Sequence, residues 1–193
     1  MENEQPINEQ DSLRIIHEMI TAAKSDVKGD SFIFLLWGYL VFIASLSQFI
    51  LVQMNIEHND FVWFLMPAGG LITAIYYIRK KKVEKVRTHV SEFLKFVWIA
   101  FGAAMCIVMF SHSLTGDQML PTIMTLYGIG LFISGGALKF TPLIAGGIFC
   151  WICAVIGFQV AVIYQLLVIA AAVLGGYIIP GHLIQLNNKN KNV

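Results

Sequence analysis

Ile75-Tyr76-Tyr77-Ile78-Arg79-Lys80-Lys81-Lys82-Val83-Glu84-Lys85-Val86-Arg87 is the junction at which an apolar run meets the densest positive charge of the chain. Behind it residues 61–78 carry no charged side chain, and ahead of it, beyond Lys95, neither do residues 96–111. A helix rises about 1.5 Å per residue, so about 20 residues cross a hydrocarbon core of about 30 Å. Outward from the junction, charge-poor runs of that kind lie at 32–54, 61–78, 93–111, 119–138, 142–158 and 160–180. Residues 141–180 hold no charge at all, and only Gly157-Phe158-Gln159 offers a turn between the last two. A single helix over 141–180 would overshoot a bilayer by more than tilt absorbs, so two spans are expected there.

With 57% hydrophobic and 13% charged residues and a mean hydropathy of +0.70, a water-soluble globule is excluded. The fold class expected is all-α, a polytopic membrane bundle of six transmembrane helices with an N-terminal cytoplasmic amphipathic helix. Its divisions are residues 1–30 for that helix, 31–181 for the membrane domain and 182–193 for a short polar cytoplasmic tail.

Orientation follows from the basic residues, which are retained on the cytoplasmic side. The segment from Arg79 to Lys95 holds seven of the 13 Lys and Arg residues. Six spans place Arg14, Lys24, Lys28, Lys139, Lys189 and Lys191 on that same side, and leave Glu57, Asp60 and Asp117 on the other. Both termini are expected in the cytoplasm. Trp37 and Trp98 near inner helix ends and Trp63 near an outer end agree with the preference of amphipathic rings for the interface. The first thirty residues are acidic and lack an apolar core segment, so no cleavable signal peptide is expected and the first span serves as the insertion signal. The three cysteines, Cys106, Cys150 and Cys153, all fall within spans, which excludes a disulfide-stapled outer domain.

In residues 8–28, Leu13, Ile16, Met19, Ile20, Ala23 and Val27 recur at helical spacing, with Glu9, Glu18, Lys24 and Asp26 elsewhere on the wheel. Asn8 or Asp11 could cap its start. Residues 1–31 hold seven acidic and three basic side chains, a net of −4, which anionic lipid repels. Residues 79–95 carry seven basic residues against Glu84 and Glu92, a net of +5, on the same side. Docking of the helix on that loop satisfies both its charge and its apolar stripe; the plainer reading is a helix near the interface and a loop that only sets orientation.

Inside the spans the notable residues are small. Gly69-Gly70, Gly128, Gly130, Gly135-Gly136, Gly146-Gly147 and Gly175-Gly176 read as seams where helices approach closely. Tryptophans 37, 98 and 151 on odd spans and glycine pairs on even ones hint at repeated hairpins, with spacings too uneven to define a repeat. Cys150-Trp151-Ile152-Cys153 has dithiol spacing, yet a membrane thiol oxidoreductase needs a second, exchangeable pair in an outer loop, and cysteine also serves as a small apolar filler. His58 and His112, with Asp60 and Asp117, are too few and too irregular for a zinc site. Gln48, Gln53, Gln159 and Gln165 are amides that must find partners in hydrocarbon: bonds between helices, or a polar path for a solute. No span carries an ionisable group at its middle.

Leu35-Leu36-Trp37-Gly38, Leu126-Tyr127-Gly128, Leu138-Lys139-Phe140-Thr141-Pro142-Leu143-Ile144 with Gly146-Gly147-Ile148, Tyr164-Gln165-Leu166-Leu167, and Tyr177-Ile178-Ile179-Pro180-Gly181-His182 together resemble an uncharacterised Bacteroidetes family of small six-helix inner-membrane proteins of this chain's length. The resemblance covers nearly the whole chain. It implies a multi-pass protein of the cell inner membrane, often encoded beside a small winged-helix transcriptional regulator, and it carries no activity and no catalytic residue. The reading is a non-enzymatic interaction or regulatory membrane protein, with no catalytic residue, metal or cofactor assigned. Its partners are the lipid bilayer and a cytoplasmic protein, with self-association through the glycine seams open and nucleic acid not expected. The alternatives are a small transporter or channel for a neutral or apolar solute, and a membrane thiol oxidoreductase.

Overall fold

The computed structural model describes residues 9–83, 89–111 and 116–190, with side chains over 31–79, 92–111 and 116–187. All regular structure among these residues is helical. Helix α1 (Glu9–Gln53) is followed by a 3-10 segment (Asn59–Phe64), α2 (Leu65–Val83), α3 (His89–Phe110), a 3-10 turn (Gly116–Gln118), α4 (Met119–Ala137) and α5 (Thr141–Gly157). Then α6 (Val162–Val173) runs through a π-helical turn (Leu174–Ile178) into α7 (Ile179–Asn190). Five apolar stretches are long enough to cross a membrane: Ser31–Gln53, Asn59–Arg79, Glu92–Phe110, Gly116–Ala137 and Val162–Asn187. The sixth apolar helix, α5, is shorter at 17 residues.

The turn expected at Gly157-Phe158-Gln159 is there. Phe158 N–H donates to Ala154 O at 3.0 Å and Gln159 N–H to Ile156 O at 3.0 Å, which ends α5. Ala161, extended at ψ 148°, starts α6. The uncharged stretch 141–180 is therefore two helices, not one. Elsewhere the helices are longer than the sequence suggested. Helix α1 is one 45-residue element, so residues 9–28 join the first apolar stretch without a break at Gly29-Asp30. One helical glycine costs about 1 kcal/mol, too little to end a helix that is already propagating on both sides. At the other end, helix continues through His182 to Asn190, so the polar segment there is helical as far as it is described. Pro180 would break a regular helix because its ring meets the carbonyl four residues back. The wider π turn over 174–178 lies at that carbonyl, Gly176.

Cross-helix neighbours fix the topology. Trp37 meets Thr73 and Gln48 meets Trp63, so α1 and α2 are antiparallel. Cys150 meets Ala172 across α5 and α6; Gly128 faces Gly147 across α4 and α5; Gly38 faces Ile178 across α1 and the π turn. The bundle alternates up and down, with α1, α4, α5 and α6 inside and α2 and α3 outside. Its interior includes Val41, Met124, Leu131, Leu143, Ile169 and Ala172, all buried. The outer helices turn their large apolar side chains outward: Phe64 is 81% and Phe110 89% exposed. Such a surface is stable only where lipid covers it; the chain is a helical membrane protein.

Candidate functional site

The amides do not share a cavity. Trp63 Nε1 donates to Gln48 Oε1 at 2.7 Å, and Gln48 Nε2 donates to Asn59 Oδ1 at 3.2 Å, a clamp between α1 and the 3-10 segment. Gln165, 2% exposed, donates from Nε2 to Asp117 O at 2.9 Å and to Val160 O at 3.3 Å. One amide thus ties the start of α6 to the two neighbouring turns, while its Oε1 is buried without a partner. Gln159 bonds only to Val155 O, four residues back, at 3.2 Å, and Gln53 is exposed. Each amide serves its own corner of the bundle.

At the centre, where a path would have to run, aromatic rings close a circuit. Phe34 of α1 meets Trp98 of α3 at 5.9 Å between centroids, Trp98 meets Phe101 at 5.2 Å, and Phe101 stacks on Tyr127 of α4 at 6.0 Å. Tyr127 meets Tyr177 of the π turn at 5.3 Å, and Tyr177 returns to Phe34 at 6.0 Å. Edge-to-face and offset pairs of this kind favour a fixed, dry packing. Individual aromatic residues are visible in a sequence, but their convergence from four elements is not. The tryptophans placed in the interface by the sequence also turn inward: Trp37 Nε1 donates to Thr73 Oγ1 at 3.1 Å, and Trp63 and Trp98 pack on the core. Trp151 Nε1 donates to Thr125 O at 3.2 Å.

Cys150 and Cys153 are free and buried, and the Cys150 thiol lies 3.5 Å from Ala172 O. A thiol held there is core filler, sealed from an exchange partner. His58 stands between α1 and the 3-10 segment with φ 57°, and His112 lies outside the described residues. Among the described residues no group of His, Cys, Asp and Glu is arranged to hold a metal. His182, to which the sequence alone assigns no role, is paired through Nε2 with Tyr39 Oη at 2.9 Å and links α7 to α1.

Of the glycines, Gly146 and Gly176 form one close seam between two backbones: a Cβ on Gly146 would stand 2.9 Å from Gly176 Cα. A Cβ on Gly135 would stand 2.7 Å from Ile144 N and one on Gly147 2.8 Å from Gly128 O, whereas Gly70 and Gly136 have open space around them. Beside the first seam, α5 and α6–α7 part to leave an apolar cleft of about 490 Å³. It is walled by Pro142, Ala145 and Phe149 on one side and by Gly175, Ile179 and Leu183 on the other. Three residues before Pro142 stands Lys139, exposed, with φ 51°. The turn is a Schellman motif: Lys139 N–H donates to Gly136 O at 3.2 Å and Phe140 N–H to Gly135 O at 2.9 Å. Glycine is the usual occupant of the left-handed position that Lys139 takes.

The expected contact between the helix at 8–28 and the basic segment 79–95 concerns side chains that are mostly outside the described residues; Lys95, within them, lies 5.5 Å from the Phe96 ring centroid. Compared with known proteins, the chain matches no family model, no curated protein and no solved structure.

Proposed function

We propose that this chain is a six-span protein of the inner membrane with both termini in the cytoplasm, and that it acts as a non-enzymatic interaction protein. The observation that carries this reading is the single helix from Glu9 to Gln53, about 68 Å long at 1.5 Å per residue. About half of it, residues 31–53, is a candidate span, and the other half is the acidic amphipathic segment. A helix anchored in this way would hold the stripe that Leu13, Ile16, Ile20 and Ala23 form by sequence spacing at a fixed place on the membrane, for a cytoplasmic protein to meet. The same orientation puts the ends of the basic segment 79–95 on that side of the membrane, and its net charge is opposite. The sixth crossing is α5, whose 17 residues lie at the short end of spanning lengths and rise about 26 Å.

The separate duties of Gln48, Gln159 and Gln165 and the closed aromatic circuit speak against a solute path. The sealed Cys150 and Cys153 speak against thiol exchange. The partner proposed first is a winged-helix regulator of the kind often encoded beside proteins that this chain resembles. The test is co-purification of that regulator, in detergent, with the full chain, a form lacking residues 1–30, and an Ile16→Ser/Ile20→Ser variant. The full chain should retain the regulator and the other two should lose it. Equal retention by all three, or by none, refutes the stem as the contact surface.

A further inference from the structure

We propose that the cleft between α5 and α6–α7 is a binding site for an anionic phospholipid, one acyl chain lying in the cleft and the phosphate against Lys139. The cleft is formed inside the apolar belt, so the material that fills it is the hydrocarbon around it. Its walls are rigid because the Gly146–Gly176 seam closes the back and Pro142 and Pro180 stiffen both sides. From Pro142 to Phe149 the α5 wall rises about 10 Å, which is enough to order the upper part of one acyl chain.

Charge selects the headgroup. Between Lys95 and Lys189 the sequence has a single Lys or Arg, Lys139, three residues before Pro142 of the cleft wall. No acidic residue is present from Gln118 to the C-terminus to oppose it. Lys139 also occupies a backbone position that glycine would fill with less strain. A residue that costs stability where it stands is explained when its side chain is used, and a phosphate in the interface uses it. The N-terminus of α5, at the same edge, adds the positive end of its dipole. Because no residue that lines the cleft belongs to α1, this inference stands or falls apart from the reading of residues 1–30.

The experiment is native mass spectrometry of the full chain released from nanodiscs of equal phosphatidylglycerol and phosphatidylcholine. The unmodified protein should retain one phosphatidylglycerol in preference to phosphatidylcholine. Lys139→Gly should lower that preference about fivefold, the effect of one basic residue beside anionic lipid, while raising the melting temperature. Ala145→Trp, which fills the cleft from an exposed position, should abolish retention of either lipid. Lys139→Asn, which keeps the left-handed backbone, should lose the preference without unfolding. The proposal is overturned if Lys139→Gly and Lys139→Asn leave the preference unchanged, or if Ala145→Trp leaves retention unchanged. It is overturned equally if the unmodified protein is a dimer that Ala145→Trp splits, since a second copy then fills the cleft.

Discussion

At the scale of single residues, Gln165 shows how a polar group is held in an apolar interior. Its Nε2 bridges Asp117 O and Val160 O, so one side chain joins two turns. The sequence announces that an amide among Tyr164, Leu166 and Leu167 needs a partner. It cannot name one, because both acceptors are backbone carbonyls brought there by the meeting of two turns. Gln165→Met keeps the shape, removes two hydrogen bonds and also removes the unpaired Oε1; each bond contributes about 0.5–1.5 kcal/mol, so a loss of about 1–2 kcal/mol is expected. Gln165→Glu sets a carboxylate against two carbonyls in a buried place and should cost about 3 kcal/mol or more. Thermal unfolding in detergent should rank the three proteins Gln165, Met, Glu. Glu as stable as Met would mean that Nε2 is not the donor between those turns.

At the scale of elements, the spans are legible in the sequence because a bilayer demands about 20 apolar residues and nothing else in the chain supplies them. Their contacts are less so. Gly69-Gly70, Gly135-Gly136 and Gly146-Gly147 look alike as pairs, yet Gly70 and Gly136 face open space while Gly69, Gly135, Gly146 and Gly147 meet neighbours. Which glycine of a pair faces a neighbour depends on helix rotation, and that is set by the whole bundle. The π turn at Leu174–Ile178 and the unbroken run through Gly29 were hidden for a similar reason: each is a local cost that packing and propagation override. Two substitutions separate the cases. Gly146→Ala pushes a methyl onto the Gly176 backbone, which cannot rotate away, and should cost about 1–3 kcal/mol. Gly136→Ala meets no atom within 4 Å and should be neutral or gain up to about 1 kcal/mol of helix propensity. Denaturation of the two variants in one detergent checks the pair, and equal effects would remove the seam as the reason for Gly146.

At the scale of the whole molecule, the order of the helices and the distribution of charge must agree on one orientation. Short turns at 138–140 and 158–161 and the antiparallel pairing of α1 with α2 put the 54–58 loop, Asp117 and the Gly157 turn at one end of the bundle. Lys139 and the ends of α2 and α7 lie at the other. Basic residues gather at this second end, and Glu57, Asp60 and Asp117 at the first, so the proposed orientation, with the second end in the cytoplasm, is the one that the positive-inside rule favours. The rule applies because all the connecting segments are short, the condition under which Lys and Arg decide which side a loop stays on. Single cysteines placed in a background without Cys106, Cys150 and Cys153 test this with a membrane-impermeant maleimide. In intact spheroplasts Asn59→Cys and Asp117→Cys should label, and Lys82→Cys and Lys189→Cys should label only after the membrane is opened. The position that decides most is Lys189. Its protection, with Lys82 protected and Asp117 labelled, requires two crossings between residues 141 and 190, which α5 and α6–α7 would provide. Labelling at Lys189 from outside would leave α5 in the membrane without crossing it, and the lipid-facing cleft would then open towards a different depth of the bilayer.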